Sequence, residues 1–309
     1  DDLNNVIIIK DATKGFEQAE PIIIQGHLDM VCEKDEDCTI DFTKDGLDLF
    51  IDGDFLKARG TTLGGDDAIA IAFSLALLED DQLKHPRLEM IFTVDEETGM
   101  YGVQGIDLSP IKGNIMLNID SDEEGVFLTS CAGGLGIQSD LPMTRQMQTG
   151  THLQLKLTGL FGGHSGGEIH KERGNSNVLM GRVLKYLSDE FEFSISTLEG
   201  GSKDNAITRM TISDVLVATQ DKDEFLARLA EIKSILQNEY QTADPDLTIE
   251  IEDKGEATIS VLHPTSFSKV LFYLRQAPYG VAHMSVDFPN LVETSDNIGV
   301  MKLEEKKMF

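Results

Sequence analysis

Three short runs, Pro21-Ile22-Ile23-Ile24-Gln25, Leu88-Glu89-Met90-Ile91-Phe92-Thr93-Val94 and Ile115-Met116-Leu117-Asn118-Ile119, are dense in apolar residues and do not alternate. A strand that alternates buries one face. A run of this length that stays apolar buries both, as parallel strands between helical layers do. Between the first two runs, residues 66–81 read as a helix, with Ala68, Ile69, Ile71, Phe73, Leu75, Leu77 and Leu78 apolar nearly all round, so burial is expected. Residues 1–135 are therefore expected to form an α/β unit. Within it, 6–10 and 21–25 are expected as neighbouring strands joined by the turn at Thr13-Lys14-Gly15.

Beyond residue 135 the texture changes. Residues 151–157 alternate with period two, as a half-exposed antiparallel strand does. Residues 211–218, 247–252 and 258–262 read as further strands, and 175–187, 224–240 and 266–275 as helices. In the middle helix Phe225, Leu226, Leu229, Ile232, Ile235 and Leu236 share one side. An α+β domain over 136–309 is expected.

Each apolar run of the first domain ends beside a histidine or an acid: Gly26-His27-Leu28-Asp29, Asp95-Glu96-Glu97 and Asn118-Ile119-Asp120. Gly64-Gly65-Asp66-Asp67 opens the helix. Ligands bind at the carboxyl ends of parallel strands, where the loops converge. A histidine and several carboxylates brought there would repel one another unless cations held them, so a metal hydrolase is the leading reading. Each motif alone has a blander explanation. His27 and Asp29, two apart on a strand, are a ligand with its orienting carboxylate or a satisfied polar pair. Asp66 bridges metals or caps the helix, and Asp67 could cap in its place. Glu96 and Glu97 are solvated or divide labour, one ligating while the other takes a proton from water. Asp122, Glu123 and Glu124, after Asp120, read as a solvated loop.

In the second domain Gly162-Gly163-His164-Ser165-Gly166-Gly167 is too glycine-rich for a regular strand and lacks the lysine of a phosphate loop. His164 is a turn residue or a donor to a developing oxyanion. Asn205 and Arg209 offer an amide and a guanidinium suited to a carboxylate, or belong to an ordinary surface loop.

With 54 acidic against 26 basic residues, a formal charge of −28 repels nucleic acid and anionic membranes, and neither partner is expected. Cys32, Cys38 and Cys131 make no disulfide framework and no zinc knuckle, which fits a reduced, cytoplasmic protein. No apolar run approaches the ~18 residues of a membrane span.

The motifs resemble a known family. Gly26-His27-Leu28-Asp29-Met30-Val31, Thr61-Thr62-Leu63-Gly64-Gly65-Asp66, Asp95-Glu96-Glu97-Thr98-Gly99-Met100, Asn118-Ile119-Asp120-Ser121 and Cys131-Ala132-Gly133-Gly134 are similar to those of the co-catalytic zinc dipeptidases, carboxypeptidases and acylases. Within that family they look like the aminoacyl-histidine (Xaa-His or β-alanyl-histidine) dipeptidase type. The likeness continues through 162–170, 200–209 and 292–299. It implies a three-layer α/β/α catalytic domain with a mostly parallel sheet, an α+β lid domain, and two zinc ions, with cobalt or manganese as alternatives. Asp66 would bridge the ions, His27 and Asp120 complete the first, and Glu97 bind the second. Glu96 would be the general base for a water activated between the ions, and Asp29 the orienting carboxylate. His164 would stabilise the tetrahedral intermediate, with Asn205 and Arg209 near the carboxylate of a small peptide substrate. A homodimer is implied by the same likeness.

One departure bears on activity. The family's second zinc takes a late histidine, and neither His263 nor His283 has the matching context. The expectation is a fragment of a catalytic domain that binds its second metal poorly and has little activity. Competing readings are an N-acyl-amino-acid hydrolase or carboxypeptidase, and a catalytically silent metal-binding or dimerisation module.

Overall fold

The computed structural model describes residues 1–309 except Glu36 and Asp122, so the solvated-loop expectation for Asp122 lies outside the described residues. The chain divides into two compact units, Asp1–Thr129 and Ser130–Phe309. Among the described residues no helix is long and apolar enough to cross a membrane.

The first unit contains β1 (Val6–Lys10), β2 (Ile22–His27), a hairpin of β3 (Leu49–Asp52) and β4 (Phe55–Ala58), α1 (Gly65–Glu79), β5 (Leu88–Thr93), the short α2 (Tyr101–Gln104) and β6 (Ile115–Asn118). Its sheet has the order β1-β5-β2-β6, with β2 parallel to both β5 and β6 and β1 antiparallel to β5. The expected pairing of β1 with β2 is therefore not found, because β5 lies between them. Every residue of β5 is buried, so β5 takes a central place with a partner on each edge, while half-exposed β1 suits the rim. The parallel register sets Gly26 beside Phe92, His27 beside Thr93 and Asn118 beside Gln25, so all three strands end at one level.

Helix α1 lies on β2 through its small residues Ala70 and Ser74, both fully buried. Gly26 permits the approach, since a Cβ there would stand 2.5 Å from the Ala70 Cβ. The all-round burial expected for this helix is not observed: Ile69 and Phe73 remain 48% and 53% exposed, because only one face meets the sheet. Having no basic residue in its last turn, α1 is closed from outside. The Lys10 ammonium donates to the carbonyls of Leu77, Leu78 and Asp80 at 3.1, 3.0 and 3.0 Å.

A buried charge fixes the entry to β6. The Glu89 carboxylate accepts from Arg87 Nε at 2.7 Å and from the backbone N–H groups of Lys112 and Gly113, each at 2.9 Å. It thereby ties central β5 to the segment that leads into the strand before Asp120.

The second unit comprises β7 (Leu141–Pro142), β8 (Arg145–Thr158), β9 (Gly163–His164), α3 (Ser176–Ser188), β10 (Phe193–Gly200), β11 (Ala206–Ile207), β12 (Thr211–Val217), α4 (Lys222–Glu239), β13 (Thr248–Leu262), α5 (Pro264–Gln276), β14 (Gly280–Met284), β15 (Val292–Asp296), β16 (Met301–Lys302) and β17 (Lys307–Met308). Its antiparallel main sheet runs β13-β8-β12-β10-β16. Leu153, Leu155 and Leu157 of β8 are fully buried in one core with Val183 and Leu184 of α3, Phe225 and Leu229 of α4, and Val270 and Leu274 of α5. Each such side chain contributes about 1.5–3 kcal/mol of burial.

The strands expected separately at 247–252 and 258–262 are one strand, β13, broken in register only between Asp253 and Glu256. Gly255, at φ 80°, donates its N–H to the Asp253 carboxylate and absorbs the extra residues as a bulge, so the chain continues without turning back.

Candidate metal centre

The common level of β2, β5 and β6 delivers the expected ligands together. His27 is the last residue of β2 and is 1% exposed, and its Nε2 lies 2.7 Å from Asp66 Oδ1. Its Nδ1 lies 2.9 Å from the Asp29 carbonyl oxygen. The Asp29 carboxylate accepts the backbone N–H groups of Glu96 and Glu97 at 3.1 and 3.0 Å, so one residue braces both the imidazole and the acidic turn after β5. His27, Asp66 and Glu97 offer ligand atoms within 4.8 Å of one another, as do His27, Asp67 and Asp120.

Asp66 does not cap the helix, whereas Asp67, the last residue before the regular helical turns, stands at the cap position with the Ala70 backbone N–H directed at its carboxylate. The helix is entered at Gly64, in the left-handed region, and Asp66 and Asp67 both have non-helical backbone angles. The Asp66 side chain is 67% exposed and faces His27. Asp67 is 1% exposed; its Oδ2 accepts the His27 backbone N–H at 3.1 Å, while its buried Oδ1 has no protein partner. Sequence reasoning gave Asp67 only the cap. The available signal was two adjacent acids following a double glycine, which cannot show which carboxylate turns inward.

Burial pushes the carboxyls of Glu96, Glu97 and Asp120 above their ordinary values, and the neighbouring acids push the same way. Burial, reinforced by Asp120, raises Asp67 to about 6. Burial alone would lower His27, but its hydrogen bond to Asp66 and the charges of Asp66, Glu96 and Asp120 raise it.

The proton logic of His27 bears on what fits here. A carbonyl oxygen only accepts, so Nδ1 carries the ring proton, and in the neutral ring Nε2 presents a lone pair to a carboxylate oxygen. A second ring proton or a cation must stand between them. A divalent cation would also satisfy the orphaned Asp67 oxygen and relieve the crowded acids. Imidazole and carboxylate donors suit zinc, cobalt or manganese.

In the second unit, β9 and β11 form a two-stranded ribbon that sets His164 opposite Ala206. The Ser165 N–H donates to the Asn205 carbonyl at 2.8 Å, so His164 and Asn205 share this ribbon. The backbone N–H groups of Gly166 and Gly167 both donate to His164 Nδ1 at 3.1 Å, which leaves the ring proton on Nε2 as the available donor. Arg209 follows the ribbon; its Nε donates to the Leu160 carbonyl at 3.2 Å and its side chain is otherwise exposed. Asp244, 1% exposed, accepts the backbone N–H groups of Phe161 and Gly174 at 2.8 and 2.7 Å and closes the base of the loop that carries His164. Nothing local in the sequence marks Asp244 for this task, since its partners lie about 70 or more positions away.

The six expected residues of the first unit, His27, Asp29, Asp66, Glu96, Glu97 and Asp120, thus come together, and in the second unit His164 and Asn205 share one ribbon, whereas the Arg209 guanidinium is engaged at the Leu160 carbonyl.

Residues 155–244 match the peptidase dimerisation domain. The chain is 36% identical to the cytosol non-specific dipeptidase of Escherichia coli (strain K12), an alignment that covers 100% of this chain and 64% of that protein. It is 37% identical to aminoacylhistidine dipeptidase from Vibrio alginolyticus, known from a crystal structure. The TM-score is 0.73, with 100% of this chain and 63% of that one covered. The chain therefore spans slightly less than two thirds of the length of each of these relatives.

Proposed function

We propose that the chain is a member of the M20 peptidase family and acts as a metal-dependent dipeptidase that takes peptides of the Xaa-His type. The observation that carries this reading is that His27 meets Asp66 and Glu97 on one side and Asp67 and Asp120 on the other, with Asp120 also against Asp66 and a buried Asp67 oxygen left for a further contact. The names of the two relatives support dipeptides as the substrate class.

In this reading His27, Asp66 and Asp120 would hold one divalent ion, and Asp66 and Glu97 would hold a second. Two zinc ions, or cobalt or manganese in their place, would polarise the scissile carbonyl and acidify a water between them. Glu96, raised by burial and neighbouring acids, would serve as the general base toward the attacking water and return the proton to the leaving amine, a role worth about 10²–10⁴ in rate. Asp29 keeps Glu96 in place through the backbone and holds the His27 ring through its carbonyl. His164 donates from Nε2 to the developing oxyanion, a contact worth about 10²–10³. Asn205 and Arg209 hold the substrate carboxylate. The dimerisation-domain match supports a homodimer formed through residues 155–244, and the relative's cytosolic name supports a cytoplasmic setting.

The test is hydrolysis by the purified chain with zinc, cobalt or manganese of β-alanyl-histidine, of other dipeptides and of N-acyl amino acids. Metal-dependent dipeptide cleavage is expected, at a low rate because neither His263 nor His283 has the context of the second ion's late ligand. Cleavage of N-acyl amino acids alone would favour the acylase reading, and bound metal without any cleavage would leave a silent metal-binding module.

A further inference from the structure

The ribbon that carries His164 and Asn205 is too small to hold itself. Only two residue pairs join β9 to β11, and a two-stranded hairpin is marginal in water on its own. The Glu168 carboxylate accepts the His164 N–H at 3.1 Å on one strand, and a side chain from farther along the sequence braces the Asn205 side. Asn297, immediately after β15, donates from Nδ2 to the carbonyl of Asp204 at 3.1 Å and to that of Ala206 at 2.8 Å. These are the carbonyls on either side of Asn205.

The orientation of that amide is fixed by its other end. Asn175 caps α3, its Oδ1 accepting the N–H groups of Asn177 and Val178 at 2.9 and 3.3 Å, so its own Nδ2 is free to donate to Asn297 Oδ1 at 3.1 Å. Asn175 is 1% exposed and α3 is packed into the main core, so the anchor is rigid. Neighbouring contacts hold the same segment close. Asn177 Nδ2 donates to the Ile298 carbonyl at 3.2 Å, and the Thr208 hydroxyl donates to that of Gly299 at 2.7 Å. A Cβ on Gly299 would stand 2.5 Å from the Asp204 carbonyl oxygen.

We propose that Asn297 is a positioning residue that sets Asn205, and through the Asn205–Ser165 bond the His164 turn, for substrate by clamping the carbonyls of residues 204 and 206 to the capped start of α3. Only a primary amide does this, with two donors toward the ribbon and one acceptor toward the cap. The inference rests on the dipeptidase reading for the meaning of Asn205 and His164, but the clamp itself can be tested without it.

The test uses the full chain and the variants Asn297→Ala and Asn297→Asp. The aspartate keeps the acceptor for Asn175 and loses both donors, and it carries the same test if the alanine variant does not fold. Backbone amide hydrogen exchange should accelerate about tenfold or more at Ser165 and the 205–207 segment and stay unchanged in α3 and α4, as loss of two local hydrogen bonds requires. With β-alanyl-histidine, KM should rise about tenfold through the loosened Asn205, and kcat should fall as well but by less than in His164→Ala, since the His164 side chain is kept. Unchanged exchange at the ribbon in both variants overturns the proposal, as does an equal acceleration throughout the second unit. A wild-type chain without dipeptide cleavage would instead count against the dipeptidase reading, and the exchange measurement would still decide the clamp.

Discussion

Replacing Glu89 with alanine removes the acceptor shared by the Arg87 guanidinium and two backbone amides. Glu89 is fully buried, and Arg87 is 20% exposed. The Lys112 and Gly113 amides lose their side-chain partner at a cost of about 1–3 kcal/mol each where water cannot reach. Arg87 keeps weaker contacts with Asp11 and with the Pro110 carbonyl, at 3.5 and 3.3 Å, which limits its share. The expected loss is about 3–5 kcal/mol, the range for breaking a buried pair on one side. Urea unfolding followed by circular dichroism would show it as a fall in midpoint of about 2 M, for a slope of about 2 kcal/mol per molar. A loss below about 1 kcal/mol would refute the claim that this carboxylate ties β5 to the entry of β6. The pH dependence has a definite sign. Burial alone would raise Glu89, but Arg87 and the amides of Gly113 and Lys112 outweigh it and hold the carboxyl below its ordinary value. The stabilisation is therefore complete above the ordinary glutamate pKa, declines as pH falls below it, and is gone beneath the depressed value. Glu89→Gln should flatten that acid limb of the stability curve.

Lys10→Met should cost about 1–2 kcal/mol and lower the thermal midpoint, because three carbonyls at the end of α1 lose their cation; an unchanged midpoint would show that water replaces it. His164→Ala should lower kcat for dipeptides about 10²–10³-fold and leave bound metal unchanged, and an unaltered kcat would remove His164 from the chemistry.

How much of this was legible follows from the range over which each signal acts. The apolar runs at 22–24 and 88–92 announced buried strands, since that pattern is carried by consecutive residues, whereas the run at 115–118 forms the expected strand but is exposed throughout at the sheet edge. Their order was not legible: β1 pairs with β5 across some 80 intervening residues, and only the complete burial of β5 decides the central place. Helix α4 was readable because Phe225, Leu229, Ile232 and Leu236 recur at helical spacing and are all fully buried. Helix α1 misled, because its apolar residues run all round while the sheet meets one face. The bulge that keeps β13 continuous looked like a turn, as Asp253 and Gly255 are the residue types turns use. In the site, His27, Glu97 and Asp120 were legible as a histidine and acids placed after strand ends, and Asp66 as an acid at the start of a helix. Asp67, Asp244 and Asn297 were not, because their roles depend on which backbone groups the fold brings beside them.

The most direct measurement is the zinc content of the full chain and of Asp66→Ala after equilibrium dialysis against zinc, with folding checked by circular dichroism. Wild type should retain tightly held zinc, and Asp66→Ala should lose every ion at the site while keeping its fold, because in the proposed centre one carboxylate would serve both positions. Equal zinc in the two proteins, or none in either, would contradict a metal centre built on His27, Asp66, Glu97 and Asp120.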